Sequence, residues 1–241
     1  MIQFEKVYKA FNGQQVLRGV DLNIPKGKIT VILGQSGGGK TVMLKHMIGL
    51  LFPDRGRVVV NGVDIQALDD TQINSFRKIF GMLFQGAALF DSMTVGQNVA
   101  FPLMEHKGLD YPEVLPVVKE KLRLVGLVGV EEKMPDELSG GMRKRVGLAR
   151  AIALDPEILL YDEPTTGLDP VLTKSIDDLI VATQKKLGIT SVVISHDIPS
   201  AFRIADVIAM LHEGNIVFRG TPDEFRQTAH PLAQQFMKGG M

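Results

Sequence analysis

The sequence predicts an α/β fold: a mostly parallel sheet with helices on both faces. Three observations carry that expectation. Short, β-branched apolar runs such as Ile29–Leu33, Ile158–Tyr161 and Thr190–Ile194 alternate with helical stretches such as Val42–Ile48 and Thr173–Lys186. That is the pattern of strands buried on both faces and joined by crossover helices. A glycine-rich loop, Gly34-Gln35-Ser36-Gly37-Gly38-Gly39-Lys40-Thr41, joins the first such strand to the first such helix. Polar residues also stand directly behind the apolar strands: Gln85 after Ile79–Phe84, Asp162-Glu163 after Ile158–Tyr161, and His196 just beyond Ile194. In an open α/β sheet the carboxyl ends of the strands face the ligand crevice.

Composition narrows the class. The chain has 241 residues, 45% hydrophobic, enough for a sizeable core, and length alone allows one or two domains. Lys+Arg and Asp+Glu both number 27. The basic excess of a nucleic-acid binder is missing, so no nucleic acid is expected as partner. Without cysteine there are no disulfides or thiolate metal sites. Met1–Val7 reads as a strand with no basic and apolar leader before it, and no apolar run approaches the ~18–20 residues that span a bilayer. A chain of this kind is expected on the cytoplasmic side, and any membrane work requires spans from other chains.

Taken in order, residues 2–7 and Val16–Ile24 are expected as strands, with Tyr8 to Gly13 linking them. An aromatic at Tyr8 or Phe11, upstream of the glycine loop, has the form of an adenine-stacking residue or of ordinary core. Gly56 to Ile65 is a hairpin around Asn61-Gly62. Thr71–Lys78 reads as a helix and Ile79–Phe84 as a strand. From Gly86 to Ala153 strand signals fade and helical periodicity takes over, punctuated by Gly108, Pro112, Gly126 and Pro135. Beyond it come the strands and helix already named, then a helix over Pro199–Ile204. A hairpin through Glu213-Gly214-Asn215 and two short helices, Pro222–Thr228 and Leu232–Met237, close the chain.

The glycine loop fits G-x-x-x-x-G-K-[ST] without a gap. Its glycines let several N–H groups point into one concave nest at a helix N-terminus, a setting for phosphate. Lys40 is placed to reach β- and γ-phosphates and the Thr41 hydroxyl to ligate Mg²⁺. The implied ligand is a nucleoside triphosphate. Asp162 fits the Mg²⁺-associated acid of such sites, and Glu163 is placed to orient or deprotonate an attacking water. Leu138-Ser139-Gly140-Gly141-Met142 has the form of a second phosphate-binding element, with Ser139 as helix cap, Gly140 and Gly141 amides exposed, and Arg143, Lys144, Arg145 and Arg150 adding positive charge. His196 is placed to contact the γ-phosphate.

Together these pieces resemble the ATP-binding-cassette (ABC) ATPases. The loop, Gln85, the Leu138–Gly141 signature, the Asp162-Glu163 pair, the Gly167-Leu168-Asp169 turn and His196 occur in family order. The resemblance implies a RecA-like P-loop NTPase core with an N-terminal antiparallel β-subdomain and an inserted helical subdomain. It implies one domain over 1–241, with 1–85 and 154–241 as core plus β-subdomain and 86–153 as the helical insertion. It implies binding of ATP and Mg²⁺ by Phe11, Gly34 to Thr41 and Val42, with Gln85 and Asp162 also at the metal, and Asp169 near the nucleotide. It implies a head-to-tail homodimer in which Ser139, Gly140 and Gly141 of one copy close over the loop of the other. Met142 departs from the family, which usually has Gln there.

A narrower resemblance rests on Val42-x-Leu44-Lys45-His46, on Phe84 to Val95 and on Asn98 to Leu103. These strings are similar to the ATPase subunits of Mla-type lipid transporters, which also use Met at the signature. Such subunits work with an integral membrane permease and an Mce-type lipid-binding protein, moving phospholipids or related lipids between membranes. The resemblance implies a peripheral position at the inner membrane, with the permease docking near Gly86–Met104, where Met82, Met93 and Met104 offer apolar surface or core. An importer of a small solute is the other transport reading.

Overall fold

The computed structural model describes residues 1–239. Contacts divide the chain into two compact units, one made of Met1–Arg77 with the residues from Thr190 onward, the other of Lys78–Ile189. In chain order the elements are β1 (Ile2–Phe11), β2 (Gln14–Ile24), β3 (Ile29–Leu33), α1 (Lys40–Met47), β4 (Arg55–Val60), β5 (Val63–Asp64), α2 (Asp70–Arg77), β6 (Phe80–Leu83), α3 (Val95–Lys107), α4 (Tyr111–Leu124), α5 (Gly140–Ala151), β7 (Ile158–Asp162), α6 (Pro170–Leu187), β8 (Thr190–Ser195), α7 (Ile198–Ile204), β9 (Val207–His212), β10 (Asn215–Gly220), α8 (Pro222–Gln227) and α9 (Pro231–Met237).

The first unit holds two sheets. One is antiparallel, in the order β2-β1-β4-β5. In the other, β3 lies parallel to both β8 and β9, and β10 closes the edge antiparallel to β9. All five residues of β3 and all six of β8 are buried. Strands covered on both faces need no polar alternation, so each reads as an apolar run. Three hairpins turn on pairs with positive φ: Asn12/Gly13 at 50° and 81°, Asn61/Gly62 at 51° and 81°, and Glu213/Gly214 at 46° and 78°. This is the two-residue turn whose twist matches paired strands. The expected link over residues 8–13 is therefore corrected: β1 runs on to Phe11, and Asn12-Gly13 alone makes the turn. Tyr8 and Phe11 are strand residues.

The second unit pairs β6 with β7 in parallel, Phe80 opposite Ile158 through Leu83 opposite Tyr161. Around them stand α3 to α6. Gly108 ends α3 at φ 64°, Pro112 sits in the first turn of α4, Gly126 follows α4, and Pro135 opens a short 3-10 turn. The four expected punctuators thus all fall at element ends. Pro102 and Pro116 lie inside α3 and α4 instead. The apolar face of α4 buries Val114, Val118 and Leu122, spaced by four residues.

Candidate functional site

The glycine loop begins where β3 ends. A Cβ at Gly34 would lie 2.5 Å from the Leu211 carbonyl oxygen on β9, so any side chain there collides with backbone. Gly39, the residue before α1, holds φ 100°, which L-residues rarely adopt, and offers no side chain to cap the helix. The first turn of α1 carries no acidic residue either. Its amides are left to an external anion, with the helix dipole behind them. Lys40 is buried, 5% exposed, and its ammonium donates to Gly34 O at 2.8 Å and Gln35 O at 2.9 Å. Those bonds fold the loop into a ring. Gln35, Ser36 and Gly37 are exposed on its rim, as is Thr41 in the first helical turn.

Val42 follows, and its carbonyl meets Nδ1 of the fully buried His46 at 2.7 Å. Burial holds His46 below its usual pKa, against the opposing pull of that carbonyl; nearby Lys9 lowers it and Asp54 raises it. Asp54 ties down the end of β1, accepting from Lys9 Nζ and Ala10 N, each at 2.7 Å. The two aromatics on β1 now separate. Tyr8 lies under the Arg55 guanidinium, 4.6 Å from its ring, and fills the space beside Gly19. Phe11 is 40% exposed, with the Lys9 ammonium 5.6 Å from its ring centre.

His196 is exposed between β8 and α7. Asp197 behind it caps α7, accepting from Ser200 N at 3.0 Å, and its own amide donates to Ser195 Oγ at 2.9 Å. Within this first unit, His196 lines a cavity of about 810 Å³ together with Gln35 and Ser36 of the loop and Phe202, Phe236 and Met237.

The second unit carries the remaining expected residues. Asp162 is the last residue of β7. Glu163 follows at φ 49°, a left-handed conformation that costs a non-glycine residue, and its Oε2 accepts from Thr166 Oγ1 at 3.0 Å. Asp169 is the N-cap of α6, accepting from Val171 N and Leu172 N at 2.9 and 3.0 Å. Ser139 caps α5 through Met142 N at 3.3 Å, and is exposed.

The basic residues of α5 bond to the main chain. Lys144 is buried, Arg145 and Arg150 are half-buried and Arg143 is exposed, and all four donate to backbone carbonyls. Arg143 donates to Leu138 O, Lys144 to Gln85 O, Arg145 to Val125 O and the Ser175 hydroxyl, and Arg150 to Ala88 O and Ala87 O. A loop that leaves carbonyls without ladder partners needs donors, and α5 supplies them. Sequence reasoning also passed over Asn98, fully buried in α3. The signal was present: residues 95, 98, 99 and 103 share one helical face, as do 141, 144 and 148 on α5.

Oxygen donors alone make up the set expected at Mg²⁺: the Thr41 hydroxyl, the Gln85 amide and the Asp162 carboxylate. That chemistry suits a hard cation. Among the described residues, no group of three or more His, Asp or Glu is placed to hold a metal ion.

A sequence profile described as "ABC transporter" matches residues 17–166. Among curated relatives, the "Intermembrane phospholipid transport system ATP-binding protein MlaF" of Escherichia coli (strain K12) is 42% identical over 224 residues, covering 93% of this chain and 83% of the relative. The "Probable ribonucleotide transport ATP-binding protein mkl" of Mycobacterium leprae (strain TN) is 42% identical over 238 residues, covering 99% of this chain and 69% of the relative. The protein "TRIGALACTOSYLDIACYLGLYCEROL 3, chloroplastic" of Arabidopsis thaliana is 40% identical, covering all of this chain and 74% of the relative. Among solved structures, cbiO1 from Clostridium perfringens, described as part of the transporter complex cbiONQ, superposes with a TM-score of 0.86 at 30% identity over the whole chain. The cassette MJ0796, solved as a dimer bound to ADP and Pi, superposes with a TM-score of 0.81 at 30% identity over 92% of the chain.

Proposed function

The chain belongs to the ABC transporter ATPases, with their RecA-like fold, and from that we propose that it powers phospholipid transport between membranes. One observation carries the nucleotide half of the reading: an uncapped N-terminal turn on α1 beneath a loop pinned by Lys40. Triphosphate oxygens accept from the loop amides and from Lys40, which turns from the loop carbonyls to the β- and γ-phosphates. Phe11 offers its exposed ring to adenine. Thr41, Gln85 and Asp162 are the residues that would hold Mg²⁺, which would supply neutralisation of phosphate charge. Glu163 takes the proton of the attacking water and His196 donates to the γ-phosphate. Two copies assemble head to tail, each offering Ser139–Gly141 and Asp169 to the nucleotide on the other.

The cargo rests on the similarity to MlaF, whose description names phospholipid transport. No helix among the described residues is long and apolar enough to cross a membrane. An integral permease docking near Gly86–Met104 and an Mce-type lipid-binding protein complete the complex, with the ATPase peripheral on the inner face. The mkl relative, described as transporting ribonucleotides, supports a second reading with a small-solute cargo. Purification from native membrane in mild detergent separates the two. Co-purified Mce-domain protein and phospholipid support the first; a clamshell solute-binding protein without lipid overturns it.

A further inference from the structure

Three contacts bind one helix to one loop. Lys144, 6% exposed on α5, donates its ammonium to the main-chain carbonyl of Gln85. Two turns further along α5, Arg150 donates to Ala87 O at 2.7 Å and Ala88 O at 2.8 Å. Its guanidinium also stands 5.7 Å from the centre of the Phe90 ring. Between them Gly147 lets the helix approach: a Cβ there would lie 2.9 Å from Leu83 Cδ1 and 3.1 Å from Ala87 Cβ.

The loop so held is an unfavourable one. Ala87 and Ala88 are consecutive L-residues in the left-handed region, at φ 62° and 48°. Such a conformation persists only where its surroundings enforce it. The donors of α5 take up the loop's carbonyls, part-buried at Gln85 and Ala87 and exposed at Ala88, while the Ala87 side chain is buried against the helix at Gly147.

We propose that Lys144 and Arg150 are positioning residues for ATP hydrolysis. They clasp the main chain of Gln85, Ala87 and Ala88 onto α5, so that Gln85 and the Ser139–Gly141 start of the same helix hold one fixed relation. The proposal rests on the reading of Gln85 and Glu163 given above. Neither Lys144 nor Arg150 needs to touch nucleotide for this.

The test compares Lys144→Met, Lys144→Arg, Arg150→Lys and Gln85→Ala in the purified ATPase, alone and in its membrane complex. Steady-state phosphate release, nucleotide affinity and Tm are read for each. Misplacing a reacting group by about 1 Å costs on the order of 10²-fold, so Lys144→Met is expected to lower kcat roughly 10–100-fold with KM within about 3-fold. Lys144→Arg, which keeps charge and donors, restores most of the rate, and Arg150→Lys, which loses one of two carbonyl bonds, falls between. The proposal is overturned if Lys144→Met keeps wild-type kcat, or if Lys144→Arg is as slow as Lys144→Met while both lose Tm equally. If Gln85→Ala is slow and Lys144→Met is not, the clasp is wrong and the role of Gln85 stands. If Gln85→Ala turns over normally, both fail together. Should Lys144→Met not fold, Lys144→Gln provides the same comparison.

Discussion

Asn98 grips Phe90 with both ends of its amide. Phe90 N donates to Asn98 Oδ1 at 2.8 Å, and Asn98 Nδ2 donates to Phe90 O at 3.1 Å. The same Nδ2 lies 3.1 Å from Met93 O and 3.0 Å from Thr94 O. One buried side chain thus reaches four backbone groups of the segment before α3, sharing two N–H donors among three carbonyls, and the Phe90 ring packs on Phe101 at 4.9 Å. Phe90 O keeps Met93 N and Thr94 O keeps the main-chain N–H of residue 98, so replacing Asn98 by Leu strips its partner from Phe90 N and Met93 O, and a loss of roughly 2–4 kcal/mol is expected. Its neighbour Gln97 closes an exposed capping box with Thr94, and Gln97→Ala is expected to cost no more than about 1 kcal/mol. Urea unfolding of both variants checks the contrast. Equal, small losses would remove Asn98 from the role of organiser.

Glu163→Gln keeps shape and removes the base. Turnover is expected to fall on the order of 10²–10⁴-fold while ATP still binds. Phosphate release together with equilibrium nucleotide binding measures both, and near-normal turnover would take Glu163 out of the reaction.

At the glycine loop, Lys40→Ala removes a cation that serves the loop as well as phosphate. ATP affinity is expected to drop by at least roughly ten-fold, the size of one lost charge-assisted contact. Gly34→Ala places a methyl 2.5 Å from the Leu211 carbonyl and should weaken both binding and Tm. Titration calorimetry and thermal melts follow each variant. Unchanged affinity in both would count against the cradle.

His46 gives the fold a pH dependence of known sign. Its pKa in the folded chain is lowered from 6.5, chiefly by burial. Below that value the unfolded chain takes up a proton that the folded chain resists. The contribution to stability is therefore fully present above pH 6.5 and is lost as pH falls from there toward the lowered folded value. Thermal melts from about pH 7.5 to about pH 5.5 should show Tm falling more steeply for the wild type than for His46→Met. Parallel pH profiles would show that His46 does not contribute.

Much of this was legible in the residues. β3, β7 and β8 announce themselves because doubly buried strands must be apolar throughout. Asn61-Gly62 announces a hairpin because few other pairs tolerate two positive φ angles. The same chemistry at Asn12-Gly13 was hidden by the polar, half-exposed end of β1, where alternation with the core side is weak. Tyr8 and Phe11 could not be told apart along the chain, since what separates them is Arg55, brought beside Tyr8 by the pairing of β1 with β4.

By itself the sequence determined the family, the position and chemistry of the glycine loop, and the order of the strand-end residues. Those features are local: glycine, lysine and carboxylate act through their own backbone setting. Only tertiary structure decided what the basic residues of α5 do. Their charge was legible, but the carbonyls that take up the donors come from Gln85 to Ala88, from Val125 and from Leu138 just before the helix. Whether a cation faces solvent or a buried carbonyl depends on which backbone groups lack a ladder partner nearby, and that becomes fixed once the chain has folded.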